Sequence, residues 1–270
     1  MKVRLLTKTE GAKGTEYEGK NIDEIIVGIA RLSSSRETNE LFEEPHKLLR
    51  HCLNHSHWSV FATANLGFEI TTSRAIGREL LRHWSLAPQE LSQRYKAVSE
   101  FEPIEIRMQS TNNRQSSTEV FDPMWYEDDD GNITGDLLTA KRASCEIFYH
   151  LENSKSLYKK LIHQGVAKEC ARMILPETTE TVLIFNGKIR DWITTLNQRL
   201  HKTAQKECRI VAEAIRDIFI QECPVISKML YNFEDAYDCH VLERVLLEKY
   251  GVYEMVKANN FKKIKALDKD

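Results

Sequence analysis

Arg82, His83, Ser85, Glu90, Ser92, Gln93, Arg94 and Tyr95 crowd one short run, Arg82-His83-Trp84-Ser85-Leu86-Ala87-Pro88-Gln89-Glu90-Leu91-Ser92-Gln93-Arg94-Tyr95. Guanidinium groups grip phosphates through paired, fixed-geometry hydrogen bonds, and backbone N–H groups near Ser92 can add further donors. A carboxylate and an imidazole alongside them handle protons. A hydrophobic core requires none of this. Arg78 and Arg82 are four apart, as are Glu79 and His83, so each pair shares a helix face. Charge alone fits two readings of these residues, an anion site or a surface ion-pair network among Arg78, Glu79, Arg82 and Glu90.

The elements that must position this run are legible from spacing. Met1–Thr7 predicts a short strand. Asn21 followed by Glu24 predicts a capped helix, with Ile25, Ile26, Ile29 and Leu32 at helical spacing. Pro45 opens a second helix with Leu48, Leu49, Cys52 and Leu53 on one face. Leu66, Phe68 and Ile70 alternate as in a strand. Ser73 caps a helix through Ile76, Leu80 and Leu81 that delivers Arg82 and His83 at its end, and Pro88 takes the chain out of regular helix. Further on, Pro103–Met108 reads as a strand and Tyr126–Asn132 as an acidic, solvated loop. Asp136–His163 reads as a long helix, and Val182–Phe185 as a buried strand ended by Asn186-Gly187. Helices are expected at 188–200 and 204–223, the second a core helix carrying Cys208, Val211, Ala212, Ile215, Ile218 and Phe219.

Composition narrows the class. The chain has 270 residues, 41% hydrophobic and 29% charged, ordinary values for a globular enzyme with a substantial core. A formal net charge of −2 argues against a general nucleic-acid binder, and the basic stripe with interleaved aromatics of such modules is missing. No apolar run reaches the roughly 20 residues that span a bilayer, and Met1-Lys2-Val3-Arg4 turns polar too soon for a secretory signal. A cytoplasmic protein without membrane partner is expected. None of the six cysteines forms a Cys-x-x-Cys pair, so they are read as reduced packing residues and no metal site is expected. Without internal repeats or a clean linker, one α+β domain is expected.

The central run resembles the signature of the flavin-dependent thymidylate synthases, Arg-His-Arg and then Ser after seven residues, continued here as Glu90-Leu91-Ser92-Gln93-Arg94-Tyr95. Three more blocks resemble that family in its order. They are His55-Ser56-His57-Trp58-Ser59-Val60-Phe61, then Arg172-Met173-Ile174-Leu175-Pro176, then Gly187–Arg199 with Ala204-Gln205-Lys206-Glu207. Together they span roughly 30–224, most of the chain. The resemblance implies a central, mostly antiparallel sheet packed by long helices over residues 1–250, with 251–270 as a frayed C-terminal tail.

It also implies an activity: reductive methylation of dUMP to dTMP, with 5,10-methylenetetrahydrofolate as carbon donor and FAD and NADPH supplying the hydride. Position by position, Glu79, Arg82, Glu90, Leu91, Ser92, Gln93, Arg94 and Arg172 would hold dUMP. Arg199 would face the pyrimidine, favour loss of its N3 proton and so make C5 nucleophilic. His57, Ser59, Arg82, His83, Trp84, Glu90, Lys188, Arg190 and Thr194 would hold FAD. A homotetramer with active sites shared between subunits is implied as well. No cysteine lies in a matched block, in keeping with electrostatic rather than thiolate activation of the pyrimidine.

Trp84 stands where the family has arginine, Ala62 where it often has glutamate, and Glu79 where it commonly has glutamine. Two alternatives therefore remain beside thymidylate synthesis. One is flavin- and folate-dependent hydroxymethylation of a pyrimidine deoxynucleotide. The other is a non-catalytic nucleotide-binding homologue.

Overall fold

Four strands order as β1-β2-β9-β3 in the principal sheet: β1 (Lys2–Lys8), β2 (Asn65–Ser73), β9 (Glu180–Lys188) and the short β3 (Gln89–Glu90). The computed structural model describes residues 1–32, 41–97, 100–127, 133–134 and 140–229. Neighbouring strands run antiparallel. Arg4 pairs with Glu69, and the Thr9 N–H donates to the Asn65 carbonyl. Across the next pair the Arg74 N–H meets the Thr179 carbonyl while the Ile189 N–H meets that of Ala64. β3 opposes β9 with Glu90 facing Leu183. The expected α+β class and antiparallel sheet are what the chain forms.

β2 buries Leu66, Phe68 and Ile70 as their alternation predicts. Gly67 lies so close to β1 that a Cβ there would sit 2.1 Å from the Thr7 hydroxyl oxygen. β9 is longer than expected. Its burial alternates, with Thr181, Leu183 and Phe185 inside and Ile184 exposed, so Val182–Phe185 alternates between the two faces of a half-buried strand and is not a fully buried run. Asn186-Gly187 does not turn the chain, because the strand continues through both and passes directly into a helix.

Contacts divide the chain into two compact units. The first comprises 1–7, 67–187 and 202–212. It holds α3 (Arg74–Leu80), α4 (Ala143–His163) and α5 (Lys168–Ala171), with two smaller sheets. One is the hairpin β4 (Arg107–Gln109) and β5 (Ser117–Val120), and the other orders as β7-β6-β8, with β6 at Met124–Glu127, β7 at Ile133–Thr134 and β8 at Ala140–Arg142. Ser73 caps α3 as predicted, its hydroxyl accepting from the Ile76 N–H. Three expectations shift here. The strand placed at 103–108 starts only at Arg107, where pairing with β5 begins, and Ile104 is exposed. Tyr126 and Glu127 belong to β6, not to a loop, and the rest of that acidic stretch, 128–132, lies outside the described residues. The long helix starts at Ala143, because Ala140–Arg142 pairs with β6 instead.

The second unit comprises 8–66, 188–201 and 213 onward, and holds α1 (Ile22–Arg31), α2 (Pro45–Asn54) and α6 (Ile189–Arg199). The expected capping box is present: the Glu24 N–H donates to Asn21 while the Glu24 carboxylate accepts from the Asn21 N–H. α1 packs on α2, and α6 on the turn Val60–Ala62. The Trp192 indole N–H donates to the Leu66 carbonyl inside this unit. Buried Asp23 accepts from the Val225 and Ile226 N–H groups, tying the first helix to the chain beyond the last one.

That last helix, α7 (Lys206–Glu222), buries Cys208, Val211, Ala212, Ile215 and Phe219 as predicted. Cys52, Cys208 and Cys223 are buried packing residues, whereas Cys145 and Cys170 are exposed, contrary to the packing expectation. Cys239, the expected boundary at 250 and the tail 251–270 lie outside the described residues.

Candidate active site

The signature run is a helix exit, a tight turn and a short strand. α3 ends at Leu80, and the His83 N–H closes onto the Leu80 carbonyl. Trp84–Leu86 makes one 3-10 turn, with the Leu86 N–H on the His83 carbonyl. Ala87 then adopts φ 46° and ψ 61°, left-handed backbone that reverses the chain. Pro88 follows, and Gln89–Glu90 joins the sheet as β3. This leaves Arg82 exposed and His83 half-buried, with Trp84 82% exposed on the turn.

Glu90 is fixed by the sheet register. It faces Leu183 on β9, so Thr181, two residues along, is its diagonal neighbour on the same face. The Thr181 hydroxyl donates to Glu90 Oε1 at 2.8 Å, and an Arg74 guanidinium nitrogen lies 3.4 Å from that same oxygen. Leu91, half-buried, donates its N–H to the Val182 carbonyl. Ser92 then turns the chain: its hydroxyl accepts from the Arg94 N–H and its carbonyl from the N–H groups of Tyr95 and Lys96. Gln93 is only 4% exposed, and its Nε2 has no partner, an orphaned buried donor within the signature.

Two contacts fasten this turn to α5. Arg94 Nε donates to Glu169 at 3.1 Å, and Lys168 donates to the Tyr95 carbonyl at 2.8 Å. Arg172 begins the 3-10 turn after α5 and is half-buried. Glu79 is half-buried on α3, while Arg78 bridges to Glu177 at 2.9 Å. Arg78 thus pairs with Glu177, and Glu90 with Arg74, both partners outside the set Arg78, Glu79, Arg82 and Glu90. The first unit accordingly carries Arg82, His83, Trp84, Glu90, Leu91, Ser92, Gln93 and Arg94 on one continuous stretch of helix exit, turn, short strand and turn.

The other expected residues lie in the second unit. His57 is exposed after α2, with its ring centroid 5.8 Å from that of His51 and 6.0 Å from that of His55. Ser59 immediately precedes the turn Val60–Ala62. Lys188 precedes α6 and is exposed. Arg190 lies 3.5 Å from Asp191, and the Thr194 hydroxyl donates to the Arg190 carbonyl, so both sit on one stretch of the helix. Arg199 is the last residue of α6, half-buried.

Sequence reasoning did not find Arg74 or Thr181, whose importance rests on sheet register. Nor did it find the ion-pair cluster in the first unit. There Arg107 lies 2.6 Å from Glu207 and 2.8 Å from Glu105, and Lys206 lies 2.6 Å from Glu105. Burial pushes the Glu207 carboxyl up, but hydrogen bonds from Arg107, Gln205 and the backbone outweigh it and hold the group down at about 2.

A family model described as thymidylate synthase complementing protein matches residues 15–225. A curated flavin-dependent thymidylate synthase from Synechocystis sp. is 35% identical over 233 residues, covering 85% of this chain and 99% of that protein. The chain belongs to the flavin-dependent thymidylate synthase family. A probable flavin-dependent thymidylate synthase of Paramecium bursaria Chlorella virus 1 is 36% identical over 217 residues, 79% of this chain and 93% of its own. Among solved structures, a UMP/dUMP methylase from Streptomyces cacaoi bound with 5-Br UMP has the same fold. Its TM-score is 0.64 at 22% identity, over 84% of this chain and 92% of that one. Every expected site residue of this family member falls inside the matched 15–225.

Proposed function

We propose that this chain reductively methylates dUMP to dTMP, with 5,10-methylenetetrahydrofolate as carbon donor and FAD and NADPH as the hydride source. One observation carries the reading. In a chain of this family, the signature turn presents a pinned Glu90 beside Ser92, orphaned Gln93 and Arg94. Arg82, Arg94 and Arg172 bind the phosphate and sugar through charge-assisted hydrogen bonds. Glu90 contacts the nucleotide through its carboxylate, Leu91, Ser92 and Gln93 add polar groups of the chain after it, and Glu79 borders the nucleotide. Arg199, at the end of α6, stabilises negative charge on the pyrimidine as its N3 proton leaves, which raises the electron density at C5.

The donor set fits FAD. Exposed Arg82, Lys188, Ser59 and Thr194, with Arg190, suit a pyrophosphate and a polyol chain, and His57, His83 and Glu90 suit ring heteroatoms. Trp84, 82% exposed, offers a planar face where the family's arginine offers a charge. FAD, when bound, supplies the hydride that completes the methyl group.

We further propose a cytoplasmic homotetramer with shared active sites. Tyr95 and Met173, 80% and 78% exposed near the signature, support a surface that another subunit covers. Among the described residues no helix is long and apolar enough to cross a membrane.

Complementation tests the reading. Expression in a bacterium lacking thymidylate synthase should permit growth without thymidine, and Arg199→Ala should abolish it. No growth from the well-expressed parent chain contradicts the proposal.

A further inference from the structure

We infer that Thr181 and Arg74 are positioning residues that fix the Glu90 carboxylate so that one oxygen, Oε2, is offered to a donor group of the bound nucleotide. The inference rests on Glu90 being a nucleotide contact, as proposed above. Both the Thr181 hydroxyl and the Arg74 guanidinium converge on Oε1, at 2.8 and 3.4 Å. Among the described residues no hydrogen bond is made to Oε2.

Three elements enforce this. The antiparallel register of β3 on β9 makes Thr181 the diagonal neighbour of Glu90. Thr181 is 1% exposed, so its hydroxyl must donate to a protein acceptor or stand orphaned. Arg74 opens α3, and its own N–H is held by the Thr179 carbonyl on the approach to β9. Two donors on one carboxylate could be shared between its oxygens. Here one is occupied twice and the other is left open, which suits an N–H or O–H donor of the pyrimidine or sugar. Because Glu90 cannot swing, its acceptor meets that donor without a loss of side-chain freedom on binding.

The test is a double-mutant cycle on FAD-loaded protein, reading dUMP affinity by titration calorimetry and the KM-against-kcat split. Thr181→Val should weaken dUMP binding roughly five- to tenfold, the scale of one charge-assisted hydrogen bond. Thr181→Ser, which keeps the hydroxyl, should bind like the parent. The pair Thr181→Val with Glu90→Gln should bind no more weakly than Glu90→Gln alone, since Thr181 acts through Glu90. A purely structural threonine would give additive losses and overturn the inference. If Glu90→Gln weakens binding while Thr181→Val does not, the positioning role is wrong and the Glu90 contact stands. If Glu90→Gln binds like the parent, the contact itself fails, and the inference with it. Should Thr181→Val melt early, Arg74→Gln carries the same cycle at a partly exposed position.

Discussion

Arg107 and Glu207 meet at 2.6 Å, joining the β4 strand to the first turn of α7 within one unit. Lys206 and Glu105 extend the pair into a four-residue cluster.

Arg107→Met should destabilise the protein by about 2 kcal/mol at neutral pH, because it leaves a half-buried carboxylate without its main partner. The pH dependence has a definite sign. Glu207 titrates at about 2 in the folded chain against an ordinary 4.5, so its stabilisation is complete above 4.5 and is lost as the pH falls toward 2. Urea melts of parent and variant should therefore converge as the pH is lowered through that window. A constant gap would show that the ion pair is not the source.

Gly67→Ala places a methyl group 2.1 Å from the Thr7 hydroxyl oxygen on β1. The strands must part or Thr7 must change rotamer, at a cost of about 2 kcal/mol. Combining it with Thr7→Ala removes the obstructing oxygen and should recover most of the loss in a thermal melt.

Ala87 holds left-handed backbone in the signature turn. Ala87→Gly should stabilise the chain by about 0.5–1 kcal/mol by relieving that strain, and Ala87→Val should cost at least about 1 kcal/mol. Equal denaturation midpoints for all three would mean that the turn is not held as described.

Trp84 reports on the flavin. Trp84→Ala should leave the melting curve nearly unchanged, because the side chain is 82% exposed, yet weaken FAD binding roughly tenfold through lost stacking of about 1–2 kcal/mol. Addition of FAD should quench tryptophan fluorescence in the parent and do so less in the variant. A quench of the same size in both would separate Trp84 from the flavin.

What the sequence disclosed was mainly what neighbouring residues decide among themselves. The Asn21–Glu24 box, the Ser73 cap, the Pro45 helix start and the burial of Leu66, Phe68 and Ile70 all follow from local hydrogen bonding or from alternation. The signature was legible for the same reason, since its chemistry is contiguous. Non-local pairing was not legible. Ala140–Arg142 carries helical spacing, yet β6 claims it as a strand. Thr181 serves Glu90 from 91 residues away, and only the β3–β9 register discloses it. Arg78, read beside Glu79, reaches Glu177 in the turn before β9.

The most direct measurement is the mass of the nucleotide formed when purified protein is incubated with FAD, NADPH, 5,10-methylenetetrahydrofolate and dUMP. Thymidylate synthesis predicts dUMP gaining the mass of one CH2, with the gain lost in Arg199→Ala. A gain of CH2O instead would make the enzyme a hydroxymethylase, and unchanged dUMP from flavin-loaded protein would contradict the proposed catalysis outright.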